Sequence, residues 1–127
     1  MPWSVEFCDE FDEEFPLLAE AVRVEMLATL RFLKEHGPNT GRPAVDTLKG
    51  SSYTNMKELR FDADGGVWRV AFAFDPERKA ILLCAGDKSG VDERRFYKVL
   101  IAKADSRFER HLLEDAQKGK QQKKRDK

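Results

Sequence analysis

The stretches YTNMKELRF (residues 53–61) and VWRVAFAF (residues 67–74) decide the fold of this chain. In the second stretch, large apolar residues alternate with smaller or charged ones, which is the period of a β-strand. The segment DADGG (62–66) between them has the composition of a hairpin turn. A second turn over 75–78 leads to a third apolar run over 79–85. We therefore predict an antiparallel β-meander of three strands.

Helical spacing flanks this meander on both sides. A short alternating run, Trp3 to Phe7, predicts a first strand. Apolar residues then recur every three or four positions, which predicts a helix over 9–15 and, after the break at Pro16, a longer one to His36. The spacing after Asp92, a plausible N-cap, predicts a C-terminal helix to about Leu113. The fold class is therefore α+β, with an N-terminal strand, two helices, the meander and a C-terminal helix.

The longer of the two N-terminal helices is apolar on more than one side. Leu17, Ala21, Val24 and Ala28 form a second apolar stripe beside the first. A helix that is apolar on two sides is usually covered on both. We therefore expect this helix to be sandwiched, either inside the domain or against a partner chain.

The length of 127 residues fits one domain with one core. We place this domain at residues 1–115 and predict a disordered basic tail at residues 116–127, where six bases face one acid and no large apolar residue occurs. Residues 1–30 carry eight acids against one base, so the front of the domain should repel nucleic acid. Any contact with RNA is expected elsewhere on the surface.

Two cysteines, Cys8 and Cys84, lie far apart, and neither histidine stands at ligand spacing from them. We therefore predict two reduced, partly buried thiols, no metal site and no cofactor. No apolar run approaches the length of a membrane span, and the first residues do not have the pattern of a signal peptide. These features favour a cytoplasmic protein.

Strand alternation identifies a face that could carry chemistry. Trp68 and its alternate neighbours are large and apolar and should face the helices, which places Arg69 on the opposite face. The same parity puts Glu58 and Arg60 of the preceding strand beside it. The alternates of Arg69 are alanines, which we expect to leave room for a ligand. Arginine forks bind phosphate oxygens, but an ordinary surface ion pair explains the same pattern.

Several segments resemble the phage-derived HigB-like branch of the RelE/HigB toxin superfamily. The resemblance covers roughly residues 3–113. It is carried by MKELR (56–60), VWRVAFAF (67–74), ILL (81–83), GDKSG (86–90), FY (96–97) and ADSRFERHL (104–112).

The resemblance implies a compact microbial-ribonuclease-like fold and a ribosome-dependent endoribonuclease that cuts mRNA. It also implies a helix-turn-helix antitoxin as partner, with DNA reached only through the antitoxin complex. By motif position the active-site residues are Glu58, Arg60, Arg69 and Lys88. For contacts with RNA we add Lys57, Asp87, Tyr97 and Lys98, and Lys88, Asp87 and Tyr97 are the alternatives for a general acid.

The chain departs from the family pattern at positions that matter for acid and base chemistry. Relatives commonly place further lysines or a histidine where this chain has Met56, Glu58 and Cys84-Ala85. His36 and His111 are predicted to be surface residues at helix ends, so a histidine acid–base pair is not expected. Glu58 is then the only carboxylate predicted on the face, as a base or as a support for an arginine. A module that binds RNA or a partner without cleavage is the alternative function, and an inactive phage accessory protein is a third.

Overall fold

The computed structural model describes residues 3–125, with side chains described to residue 118. A five-stranded sheet in the order β1-β5-β4-β3-β2 forms its centre. None of the described helices is both long and apolar enough to cross a membrane. The elements are β1 (Ser4–Phe7), α1 (Asp9–Glu14), α2 (Glu20–His36), β2 (Val45–Thr47), β3 (Met56–Ala63), β4 (Gly66–Phe74), β5 (Lys79–Asp87) and α3 (Glu93–Arg125).

The predicted meander is confirmed as β3, β4 and β5, which pair antiparallel in sequence order. Asp64 and Gly65 form the β3–β4 turn, and both have positive φ angles, of 53° and 74°. Two consecutive left-handed residues match the twist of the flanking strands, which fixes the register of the hairpin. β1 extends the sheet beyond β5 as a parallel neighbour.

The short strand β2 was not predicted. It lies within a segment rich in Gly, Pro, Asn and Thr, and it has three residues, too few for a pattern of alternation. Val45 pairs with Leu59, and both are buried, so β2 continues the antiparallel sheet along the free edge of β3. Its middle residue, Asp46, pairs with Glu58 in the sheet register.

α2 begins four residues later than the sequence predicted. Pro16 lies in a short 3₁₀ turn, Phe15–Leu17, and the backbone at Leu18 is extended, which separates this turn from α2. The buried side of α2 packs against β3. Leu17 and Val24 of the second apolar stripe are 84% and 57% exposed. Within the described part of the chain nothing covers this second stripe, so the alternative of a helix sandwiched inside the domain is wrong, and cover by a partner chain stays a prediction.

α3 covers the other face of the sheet. Asp92 caps it as predicted, since its side chain accepts a hydrogen bond from the Arg95 backbone N–H at 3.1 Å. Ala71 pairs with Cys84 across the sheet, and the Cys84 thiol lies 3.5 Å from the Leu100 carbonyl oxygen of α3. A Cβ atom placed on Gly86 would lie 2.8 Å from the Phe96 ring. Small residues on this face therefore let α3 approach closely.

The predicted open floor of alanines is consequently wrong. Ala71 and Ala73 are fully buried beneath the helix. A run of small residues leaves space above a sheet, but the space is filled here by the chain itself. Room for a ligand must lie nearer the end of the strands.

The backbone of α3 continues as a helix to Arg125, beyond the predicted end of the domain at residue 115. Up to Arg125, this differs from the disordered tail that we expected from residue 116. Lys, Gln and Arg are good helix formers, so charge alone does not prevent helix formation. Asp126 and Lys127 lie outside the described residues, and the division between domain and tail stays a prediction.

Arg107 fastens the middle of α3 to the rest of the fold. Its two terminal nitrogens donate to the two carboxylate oxygens of Glu14 at 2.7 and 2.8 Å, and one of them also donates to the Leu83 carbonyl at 2.7 Å. A bidentate arginine–carboxylate pair fixes orientation as well as distance. Arg107 thus ties α3 to both α1 and β5.

Both cysteines are free and buried, as predicted. The Cys8 thiol lies 3.4 Å from the Leu83 carbonyl oxygen. Burial raises the pKa of Cys84 to about 12. A thiol with so high a pKa carries almost no thiolate at neutral pH, so Cys84 acts as a small core residue.

The close packing of α3 on Ala71 can be tested with Ala71→Leu. The larger side chain has no space between β4 and α3, so the free energy of unfolding should fall by about 1–3 kcal/mol. Urea denaturation measures this loss. Ala102→Leu, at an exposed position of α3, is the matched control and should change stability little. Equal stabilities of the two variants would contradict the packing described above.

Candidate functional site

Three charged residues meet where β3 and β4 pair beneath the start of α3. We call Glu58, Arg60 and Arg69 the charged cluster. The Glu58 Oε1 atom lies 3.6 Å from the Nε atom of Arg60 and 3.6 Å from that of Arg69. Arg60 and Arg69 are direct partners in the sheet register, which places them side by side. The predicted grouping of these three residues on one face is therefore what the fold shows.

The charged cluster is mostly buried, but its arginines are not fully bonded. The side chains of Glu58 and Arg69 are 8% and 6% exposed, and that of Arg60 is 26% exposed. Arg69 donates from Nη1 to the Trp68 carbonyl oxygen at 2.9 Å. The Nε atoms of Arg60 and Arg69 have no hydrogen-bond partner among the described residues. Both atoms are buried and face the Glu58 carboxylate just beyond hydrogen-bond distance, so Glu58 holds the two arginines by charge.

Tyr97 closes the cluster from the α3 side. Its hydroxyl donates to Glu58 Oε1 at 3.2 Å. Burial raises the pKa of the Glu58 carboxyl, while the bond from Tyr97 and the charges of Arg69 and Arg60 act to lower it. Burial also raises the pKa of Tyr97. The site thus holds a carboxyl group that accepts a proton more readily than an ordinary glutamate.

Two charged residues in and just before β2, Asp46 and Arg42, join this face, and neither was predicted there. Asp46 pairs with Glu58 in the sheet register, and its Oδ2 lies 3.8 Å from Nη1 of Arg60. The same oxygen lies 3.6 Å from Nε of Arg42, whose side chain is 72% exposed. The expectation that Glu58 is the only carboxylate on this face is therefore wrong. A three-residue strand in a glycine- and proline-rich segment gave no signal that could have predicted this pairing.

An open depression of about 500 Å³ lies beside the charged cluster. Arg42, Arg60 and Arg69 all line it, together with Pro43, Phe61 and Asp62. Guanidinium groups that converge on a solvent-open surface are suited to anionic oxygens. A ligand therefore has room in this depression, and not over the alanines as predicted.

Lys88 lies on the far side of Tyr97. Its Nζ atom is 3.1 Å from Glu93 Oε1 and 5.8 Å from the centroid of the Tyr97 ring. Its backbone N–H donates to the Val67 carbonyl at 2.8 Å, which holds the loop after β5 against β4. The fold therefore brings Lys88 next to the cluster, although its direct ion pair is with Glu93.

Three other predicted RNA-binding residues stand apart from the cluster. Lys57 belongs by parity to the opposite face of β3 and donates to the Thr47 hydroxyl at 3.0 Å. Asp87 accepts hydrogen bonds from the Ser89 hydroxyl and the Ser89 and Val67 backbone N–H groups. The bond from the Ser89 hydroxyl is the main cause of the lowered pKa of Asp87. Lys98 is exposed on α3.

The two histidines differ in their surroundings. His36 is the last residue of α2 and is exposed, as predicted. His111 lies inside α3 with a side chain that is 17% exposed, 3.1 Å from Asp75 Oδ2. The expectation of a surface histidine at a helix end is therefore wrong for His111, because α3 extends beyond it and packs on the β4–β5 turn.

A protein-family model and two curated proteins match most of this chain. A model of the phage-derived Gp49-like proteins (DUF891) matches residues 13–109. HigB2 of Mycobacterium tuberculosis, named as a candidate toxin, is 44% identical over 90 residues, which are 70% of this chain and 44% of HigB2. HigB3 of the same organism, also named as a candidate toxin, is 47% identical over 84 residues, 66% of this chain and 71% of HigB3. The chain thus spans less than half of HigB2.

A solved structure shares the fold. The toxin RelE of E. coli, as a doubly substituted mutant in the free state, superposes with a TM-score of 0.58 over 81% of this chain and 97% of that chain. At 15% identity this likeness shows the architecture, and it confirms the predicted α+β fold. The family resemblance that the sequence indicated is confirmed as well: the chain belongs to the phage-derived Gp49-like protein family (DUF891).

Proposed function

We propose that this protein is the toxin of a type II toxin–antitoxin system and an endoribonuclease that cuts mRNA on the ribosome. The observation that carries this proposal is the convergence of Arg42, Arg60 and Arg69 on an open depression beside the charged cluster. The identity with relatives named as candidate toxins supports it.

Cleavage of an RNA strand by protein side chains requires three contributions. A base removes the proton of a 2′-hydroxyl, cationic groups stabilise the extra charge on phosphorus, and an acid protonates the departing 5′-oxygen. Arg60 and Arg69 suit the second task, because guanidinium forks bind phosphate oxygens in pairs. Their fixed position within the sheet means that little reorganisation is needed during the reaction.

Glu58 is the candidate for the base. A carboxylate whose pKa is raised by burial is a stronger base than an ordinary glutamate. The positive charges of Arg69 and Arg60 stabilise its ionised form. Its second role is to orient the two guanidinium groups. The distances of 3.6 Å to both Nε atoms are compatible with either role.

Tyr97 and Lys88 are the candidates for the acid. Burial raises the pKa of Tyr97, so the hydroxyl stays protonated and lies next to the cluster. Lys88 is close to the Tyr97 ring and brings a positive charge to the same edge. Asp87 is a poor acid, since its lowered pKa keeps it ionised and three hydrogen bonds engage its Oδ1 atom.

The raised pKa of Tyr97 makes its hydroxyl a weak acid, which favours a reaction that depends on external positioning of the substrate. Binding mRNA in the ribosome would supply that positioning by holding the 2′-hydroxyl and the phosphate in line. The other expected partner is a helix-turn-helix antitoxin. Leu17, Val24 and Phe32 offer an exposed apolar surface to such a protein. With mRNA as substrate, we place the protein in the cytoplasm.

The rival function is a module that binds RNA or a protein without cleavage. The burial of Glu58 and Arg69 favours it, since a buried ion pair also serves a purely structural purpose. New 5′ ends in cellular mRNA, measured by primer extension after induction, separate the two functions, because a pure binder creates none.

Arg69→Lys tests the role of the arginine fork while keeping the positive charge that Glu58 needs. Loss of bidentate contact with the phosphate should lower the rate of mRNA cleavage on ribosomes by about 100-fold or more and relieve growth arrest on expression. Primer extension measures the cleavage directly. Arg60→Ala, at a more exposed position, should have an effect in the same direction.

Arg31→Ala is the matched control, because Arg31 is exposed on α2, which packs on the other face of the sheet. This variant should cleave like the parent protein. Full activity of Arg69→Lys and of Arg60→Ala, with unchanged circular dichroism, would contradict the proposed phosphate clamp.

The raised pKa of Glu58 predicts a dependence of cleavage on pH. A base acts only when it is deprotonated, so the rate should fall as the pH drops through this raised pKa, above the value of about 4.3 for an ordinary glutamate. In Glu58→Gln the rate should fall by about 10²–10⁴-fold and this acidic limb should disappear. Cleavage measured from pH 5 to pH 8 checks both. If the fall in rate at low pH persists in Glu58→Gln, Glu58 is not the base and has the orienting role instead.

A further inference from the structure

A second group of polar side chains lies at the opposite end of the sheet from the charged cluster. Asp75 follows β4 in the turn to β5, and His111 and Asp115 stand on successive turns of α3. Their ligand atoms all lie within 4.8 Å of one another. We call these three residues the acid–histidine cluster.

The spacing within this cluster matches that of ligands around one ion. His111 Nε2 lies 3.1 Å from Asp75 Oδ2 and 3.2 Å from Asp115 Oδ2. Zinc binds histidine nitrogen and carboxylate oxygen at about 2.0–2.2 Å, so neighbouring ligands of a tetrahedral site are about 3.4 Å apart. The two distances to the histidine are therefore within a few tenths of an ångström of those in such a site, and the two carboxylate oxygens lie no more than 4.8 Å apart.

Proton counting also favours a cation between these groups. One imidazole nitrogen faces two carboxylate oxygens, and a single N–H donates one good hydrogen bond. If that bond goes to Asp75, whose side chain is completely buried, Oδ2 of the 27% exposed Asp115 faces the same nitrogen without a proton between them. A divalent cation would balance the charges of both carboxylates and be ligated by the neutral imidazole.

The surroundings hold two of the ligands in place before any ion binds. The other oxygen of Asp75 accepts hydrogen bonds from the backbone N–H groups of Glu77 and Lys79, each at 3.0 Å, so Oδ2 is the one directed at His111. The imidazole lies parallel to the Phe108 ring, with the ring centroids 6.2 Å apart. Such supporting contacts orient ligands and raise metal affinity.

The cluster is also open to solvent on one side. His111 and Asp115 line a cleft of about 340 Å³, together with further acids such as Glu6 and Glu77 and with four bases, Lys79, Arg107, Arg110 and Lys118. An ion could enter from this cleft and complete its coordination with water. From these observations we propose that Asp75, His111 and Asp115 form a binding site for a zinc-type divalent transition metal ion.

This site would have a structural role. His111 follows Tyr97 by 14 residues along α3, which is roughly 21 Å at 1.5 Å per residue. An ion at that distance cannot contact the phosphate that the charged cluster would hold. It would instead join the β4–β5 turn to α3 and resist separation of the helix from the sheet.

The test is titration of the purified, untagged full chain with Zn²⁺ by calorimetry, and with Co²⁺ by visible absorption. We expect one equivalent of either ion to bind, with the intense visible bands of a four-coordinate cobalt site and a higher thermal midpoint. His111→Gln and Asp115→Asn should each weaken binding by at least about tenfold. Asp75→Asn keeps an oxygen for the turn while replacing the ligand atom, and it should weaken binding equally.

His36→Gln is the matched control, since His36 is exposed at the end of α2. It should bind like the parent chain. We take a Kd of roughly 100 µM as the weakest binding of use to a structural site. If the chain takes up no stoichiometric Zn²⁺ at that concentration, the proposal is overturned. Binding that survives unchanged in both His111→Gln and Asp115→Asn would overturn it too, because the ion would then lie elsewhere.

Discussion

One buried carboxylate, Glu58, permits two arginines to lie inside the sheet. Its side chain and that of Arg69 are both less than one tenth exposed, and a buried charge without a partner is strongly unfavourable. The pairing therefore constrains the register of β3 against β4. A slip by one residue would turn Lys57 toward α3 in place of Glu58 and leave Arg69 among like charges. The hairpin, the position of α3 and the depression beside Arg60 all depend on this pair remaining in register.

The pairing neutralises the arginines only in part. Three guanidinium groups, those of Arg42, Arg60 and Arg69, form ion pairs with two carboxylates, those of Asp46 and Glu58, and a third carboxylate nearby, that of Asp62, lines the depression. The contacts to Glu58 are ion pairs at 3.6 Å rather than hydrogen bonds, which leaves both Nε–H groups without an acceptor among the described residues. Because both Nε atoms are buried against Glu58, a phosphate in the depression would be reached by the outer nitrogens of the guanidinium groups that line it.

The sequence predicted the face of the charged cluster because the pattern around Trp68 and Phe72 is strong. Parity within one strand assigns neighbours to a face without knowledge of the rest of the fold. It cannot tell whether that face is open, and so Ala71 was expected to line a ligand site when it lies beneath α3. Contacts between segments that are distant in the sequence could not be predicted either. Asp46 reaches Arg60 through a strand of three residues, and His111 meets Asp75 across 36 positions of the chain. Such pairs depend on where helices and edge strands pack, and the periodicity of apolar residues does not predict that packing.

α3 connects the two ends of the molecule, and this has a consequence for the candidate site. Tyr97 reaches Glu58 from the first turns of the helix, whereas the fork of Arg107 fixes the same helix to Glu14 and Leu83 about 15 Å further along. A helix moves nearly as a rigid rod over that distance. A change of angle at Arg107 or at His111 would therefore displace the Tyr97 hydroxyl from its hydrogen bond to Glu58. Residues that never approach a substrate thus set the environment of the carboxyl group, because burial under this helix is the main cause of its raised pKa.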